Sequence, residues 1–210
     1  MQRLAATAAN TKRNRHDEVL DAARSLFSQN SYRGTSIQQI AEQAGYSKRA
    51  VYLDYLNKDE LFITLCAEGG ELLLEKLKLI PYDTLPVETA IERFIKVYVD
   101  FSRNHREYFR MIFSEATPEI IANCSEELRL RVADLERACL NVLVEWAERA
   151  MREGIIPHLD PWEVAGIFVG TATGIILLSM GGSQTVFSKK TLESLVRKAI
   201  WTMWNGLRIP

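Results

Sequence analysis

Three cysteines in 210 residues, Cys66, Cys124 and Cys139, share no CxxC spacing and have no histidine cluster beside them. Such sparse, unpaired thiols argue against a zinc site or a disulfide framework, fit a reducing compartment, and read as small buried hydrophobes. Histidine is as scarce. His16, His105 and His158 lie far apart and read as surface or loop residues. No GxSxG, P-loop or HExxH pattern occurs, so no nucleophile has a base in sequence reach. The chain is therefore expected to be no enzyme, with no metal site and no cofactor. An excess of charge of either sign is also missing: 26 Lys and Arg stand against 27 Asp and Glu. The chain opens without an apolar segment, so no signal peptide is expected and a cytoplasmic location is.

What remains is an ordinary helical globule's composition, 47% hydrophobic and 25% charged. Its charge is unevenly placed. Residues 1–60 hold nine Lys or Arg against seven Asp or Glu, and Arg3, Lys12, Arg13 and Arg15 precede any acid. Residues 1–14, small, polar and basic, are expected to form a flexible arm, either a solvated tail or a segment that touches DNA.

The most informative stretch is Thr35–Leu61. Thr35 or Ser36 can cap a helix, with Gln38 and Gln39 at the capping-box offset. Ile37, Ile40, Ala41 and Ala44 share one helical face. Gly45 stands where a helix end needs positive φ, and Ser47 can cap a second, short helix. Val51 and Tyr55 point inward, which leaves Lys48, Arg49, Ala50 and Tyr52 outward or in the first turns. A short helix with a basic, small-residue start behind a supporting helix has the form of a helix-turn-helix reader of the major groove.

The run Thr35-Ser36, Ile40-Ala41, Ala44-Gly45-Tyr46-Ser47, Val51-Tyr52, Tyr55 and Lys58-Asp59-Glu60-Leu61 resembles, without gaps, the DNA-binding domain of the TetR (tetracycline-repressor-like) family. The resemblance implies an all-α chain of about nine helices. It places a three-helix DNA-binding domain over 15–74 and an effector-binding and dimerisation bundle over 75–210. It also implies a double-stranded DNA operator with an inverted repeat, a small-molecule effector, a homodimer and no membrane. Carried onto this sequence, it makes Thr35, Gln39, Tyr46, Ser47, Lys48, Arg49, Ala50, Tyr52 and Lys58 the candidate DNA contacts. Arg49 stands where the family usually has glycine. It could grip guanine O6 and N7 for about 1–3 kcal/mol of base discrimination. Asp54, where the family often has His or an aromatic, would repel phosphate and is expected to turn to Lys58, four residues on.

Further helices are expected over about 15–29, 58–79, 87–103, 107–114, 117–153 with a break at Cys124-Ser125, from Asp160 as cap, and over 189–205 behind Ser188. Gly69-Gly70 interrupts the second of these, as a packing contact, a break or a hinge. Val164–Met180 is mostly apolar and uncharged, at the short limit for a membrane span, and reads better as a buried interface helix. Its Gly166, Gly170 and Gly174 ridge costs helix propensity, so another backbone should approach closely, within the subunit or from a second one.

Tyr98, Phe101, Phe109, Phe113, Trp146 and Phe168 are the candidate effector pocket, although aromatic residues at helical spacing are more often core. Few charges share those faces, so a largely apolar or aromatic effector is expected. The resemblance pairs the last two helices with a second subunit's, through Gly166, Gly170, Gly174, Leu192, Leu195, Ile200 and Trp204. The function that follows is a transcriptional regulator, a repressor released from its operator by its effector. The alternatives are a ligand-independent DNA-binding activator or an all-α interaction module.

Overall fold

A computed structural model describes residues 2–181 and 189–209, with side chains over 15–181 and 192–209. The described residues form ten α-helices and no strand. The expected cap Ser188 lies outside them. Contacts divide the chain into two compact units, 1–68 with 115–132, and 69–114 with 133–210. The first division falls before position 74, and the first unit is built from two separate pieces of sequence.

The first unit holds α1 (Gln2–Asn30), α2 (Ile37–Ala44), α3 (Lys48–Val51), the start of α4 (Lys58–Lys78) and α7 (Pro118–Ala122). Residues 2–14, expected as a flexible arm, have helical backbone continuous with the rest of α1. Alanine, arginine and lysine in that stretch all favour helix, and no glycine or proline interrupts it. The core forms where apolar stripes meet. Val19, Ala23 and Phe27 of α1, Ile40 and Ala41 of α2, Val51, and Leu61, Phe62 and Leu65 of α4 are almost fully buried. Phe62 packs edge-on against Phe27 at 5.2 Å and lies 4.9 Å from Tyr32.

The second unit holds the end of α4, α5 (Val87–Asn104), α6 (Arg106–Arg110), most of α8 (Glu126–Arg152), α9 (Pro161–Met180) and α10 (Lys189–Leu207). A single π-helical turn, Met111–Glu115, follows α6. The break near Cys124-Ser125 separates α7 from α8. Asp160 caps α9 by accepting from the Trp162 amide at 2.8 Å, with Pro161 at the first helical position. Trp146, Phe168 and Trp204 form the centre of this core, with Trp146 5.4 Å from Phe168 and 5.3 Å from Trp204.

Gly69-Gly70 does not break α4, which runs without interruption through both residues. A Cβ on Gly69 would lie 2.8 Å from the Tyr108 ring, whereas one on Gly70 would meet only Leu135 at 3.9 Å. The first glycine is thus a close packing contact.

Among the described residues α9 is the one helix long and apolar enough to cross a membrane. Its Val164, Ala165, Phe168, Ala172 and Ile176 stripe is buried in the core, and Val169, Ile175, Leu177 and Met180 pack against it partly buried. Gly166, Gly170 and Gly174 are exposed and a Cβ on any of them would meet nothing within 4 Å, so no crossing within the subunit explains the ridge. The expected interface on α10 needs correction. Leu192, Ile200 and Trp204 are at most 7% exposed, because they share the face that packs into the subunit's own core. Leu195, partly exposed, remains available.

Candidate nucleic-acid interface

Each turn of the reader follows from a local chemical device. Ser36 is the residue that caps α2. Its amide donates to Gln39 Oε1 at 2.8 Å and its Oγ accepts from the Gln39 amide at 3.3 Å, a reciprocal capping box. Gly45 ends α2 at φ 77°, and the Tyr46 amide reaches back to the Ala41 carbonyl at 2.9 Å. Ser47 Oγ then accepts from the Ala50 amide at 3.2 Å and opens α3. Before α2, a Cβ on Gly34 would fall 2.3 Å from the Asn30 carbonyl oxygen, so the turn out of α1 requires glycine.

This scaffold brings Ser47, Lys48, Arg49 and Tyr52 to one exposed surface, with Ala50 half-buried between them. Lys48 and Arg49 have no ion-pair partner among the described residues. Gln39 is exposed, and with its oxygen held by Ser36 its amide NH2 is the end left to donate. Arg33, in the turn leading to α2, is also exposed and without an ionic partner among the described residues. A lone arginine beside a glycine carries no periodic signal, so sequence alone did not mark it.

Other candidates are spent inside the unit. Thr35 is buried, and its hydroxyl donates to the Ser31 carbonyl at 2.9 Å, with the Leu26 carbonyl at 3.3 Å. Lys58 Nζ donates to the Tyr32 and Thr35 carbonyls, each at 3.0 Å, and lies 3.9 Å from the centre of the Tyr32 ring. Burial lowers its pKa. Both residues are corrected from phosphate contacts to clamps on the α1–α2 turn. The Tyr46 hydroxyl donates to Glu18, a bond that raises the phenol pKa. Asp54 does not pair with Lys58. It takes a two-pronged bond from Arg15, Nε at 2.7 Å and Nη2 at 2.8 Å. The helical i, i+4 rule fails there because α3 has ended before Asp54 and α4 begins at Lys58.

A second polar set joins the two pieces of this unit. Asn57 Nδ2 donates to the Asn123 carbonyl at 2.8 Å, and Asn123 Nδ2 to Asp59 at 2.7 Å. Glu60 accepts from the Ser125 amide at 2.8 Å and its hydroxyl at 2.6 Å. Glu115 accepts from the Tyr32 amide at 2.7 Å.

The six expected pocket aromatics pack in two groups, Tyr98, Phe101, Phe109 and Phe113 in one and Trp146 with Phe168 in the other. Tyr98, Phe109 and Phe113 lie 4.7–6.1 Å apart, and the Tyr98 hydroxyl meets Thr173 Oγ1 at 2.7 Å. Trp146 Nε1 donates to the Val87 carbonyl at 3.1 Å. A groove of about 460 Å³ in the second unit runs between the end of α4 and α5, and of the six it shares only Phe101.

The sequence profile described as "Bacterial regulatory proteins, tetR family" matches residues 19–65, which covers the last part of α1, all of α2 and α3, and the start of α4. This amino-terminal segment is similar to the tetR family. Over 97 residues the chain is 32% identical to the HTH-type transcriptional regulator RutR of Escherichia coli K12, a match covering 46% of the chain and 45% of RutR. It therefore spans about half the length of that relative. The fatty acid metabolism regulator protein of Bacillus subtilis is 23% identical over 197 residues, covering 88% of this chain and 95% of the relative. The crystal structure of FadR from Bacillus subtilis in complex with stearoyl-CoA shares the fold, at TM-score 0.71 and 19% identity, over 90% of this chain and 98% of that one.

Proposed function

We propose that the protein is a sequence-specific DNA-binding transcriptional regulator, a repressor that leaves its operator when a small effector binds. The observation that carries this reading is the pair Lys48 and Arg49, exposed and unpaired on the first turn of a capped reading helix. Nearby polar groups such as Thr35, Lys58 and Asp54 are already bonded within the unit. In this arrangement Arg49 addresses a guanine edge, while Lys48, Ser47 and Tyr52 hold phosphate and set the register.

One four-residue helix reads too few bases for a unique site. A two-fold dimer doubles the reading and demands an inverted repeat. The exposed ridge of Gly166, Gly170 and Gly174, flanked by Ile167 at 55% and Leu178 at 62% exposure, supports α9 as the surface where two copies meet. The relative crystallised with stearoyl-CoA supports an effector with a large apolar part, bound by the second unit. Effector binding releases DNA to the extent that it prefers the DNA-incompetent state, a coupling typically worth about 1–3 kcal/mol. The site of action is the cytoplasm.

Purified protein should enrich genomic fragments that share a short inverted repeat, with affinity falling steeply as salt rises. Recovery of random fragments at both low and high salt would overturn the proposal.

A further inference from the structure

We infer that the groove between the end of α4 and α5 is a binding site for a fatty carboxylate, an alkyl chain ending in a single anionic head. Much of the lining is apolar: Ile80, Leu85, Val97 and Phe101, with Leu79, which is 82% exposed. A leucine so exposed beside an apolar trough is surface that an alkyl chain would remove from water. The same lining carries Lys76 and Arg93, neither with an ionic partner among the described residues. The one lining acid, Asp100, is held by Lys96 at 2.8 Å, so it does not neutralise that pair.

The connection beside the groove is braced by hydrogen bonds. Arg149 Nη1 donates to the Tyr82 and Leu85 carbonyls, each at 2.6 Å, within the 81–86 connection whose Pro81 and Leu85 belong to the lining. The Leu85 amide bonds the Pro81 carbonyl at 3.1 Å within the same turn. His105, also in the lining, has its ring 5.3 Å from that of Phe101. A trough that combines cations without ionic partners with apolar surface selects an amphiphile over an inorganic anion or a neutral hydrocarbon. Its volume of about 460 Å³ suits a chain of medium length. The inference stands on this groove and does not require the DNA reading.

Titration calorimetry of the full chain, without DNA, with sodium decanoate below its aggregation threshold, 1-decanol and inorganic phosphate tests it. Decanoate is expected to bind saturably at one site per chain, at least tenfold tighter than decanol, with no phosphate binding. Lys76→Ala/Arg93→Ala should weaken decanoate at least tenfold and leave decanol unchanged. Val97→Glu should weaken both ligands, with unchanged helical content by circular dichroism. Decanoate binding unaffected by the double substitution, equal affinity for decanol, or no saturable decanoate binding would each overturn the inference, and none bears on operator binding.

Discussion

Arg15 grips Asp54 through two parallel hydrogen bonds across 39 residues of sequence, and the Asp54 side chain is only 1% exposed. The fork ties α1 to the segment that follows the reading helix. A carboxylate this enclosed depends on its partner, because an unpaired buried charge costs far more than the pair contributes. Arg15→Ala and Asp54→Ala should each lower the melting temperature, and the double variant should fall little further than the worse single. Additive losses in a double-mutant cycle would show that the two side chains act independently.

Lys48 and Lys58 belong to one sequence motif but have different surroundings. Lys48→Ala should reduce the slope of log affinity against log salt by about one counterion, with little change in stability. Lys58→Ala removes the clamp on two carbonyls, so it should lower stability and leave that slope unchanged for the folded fraction. Operator titrations at four salt concentrations separate the two. A lowered slope for Lys58→Ala would restore it as a phosphate contact.

Adjacent glycines on α4 should respond with opposite signs. Gly69→Ala forces a methyl group against the Tyr108 ring and should cost about 1–3 kcal/mol, as overpacking does. Gly70→Ala meets only Leu135 at 3.9 Å and should stabilise the helix by up to about 1 kcal/mol. Urea unfolding measures both. Equal effects would sink the packing account of Gly69.

The α9 ridge gives a test of assembly. Ile167→Glu or Gly170→Glu places a carboxylate on the exposed apolar face and should convert a dimer to a monomer in sedimentation, with the helical content kept. A dimer that survives both substitutions is formed elsewhere.

The three thiols should be silent in the native protein. Burial pushes Cys66 well above the usual thiol range, Cys124 up to about 12 and Cys139 up to about 11. Thiolate is the reactive form, so at pH 8 a thiol reagent should label none of them quickly, and all three once urea is added. Rapid native labelling would contradict the packing described.

Most of the reader was legible in the sequence because its signals are local. Ser36, Gln39, Gly45 and Ser47 act on neighbours within a few residues, and each does so where spacing placed it. Thr35 and Lys58 misled because their partners are carbonyls of the α1–α2 turn, which no spacing rule reveals. Leu192, Ile200 and Trp204 misled for another reason. An apolar helix stripe looks the same whether it faces its own core or another subunit. The fatty-carboxylate groove was invisible because its cations and its carbon come from α4, a connecting loop and α5, none distinctive alone.

Asn57, Asp59, Glu60 and Tyr32 all find partners in residues 115–125, some sixty to eighty positions further along the chain. For protein engineering this sets a rule of grafting. A chimaera that transplants only the amino-terminal 68 residues onto another body would arrive with open carboxylates and an amide facing unfamiliar residues. A sound transplant carries two inserts, the leading segment and 115–132, cut at the places where the compact unit itself ends.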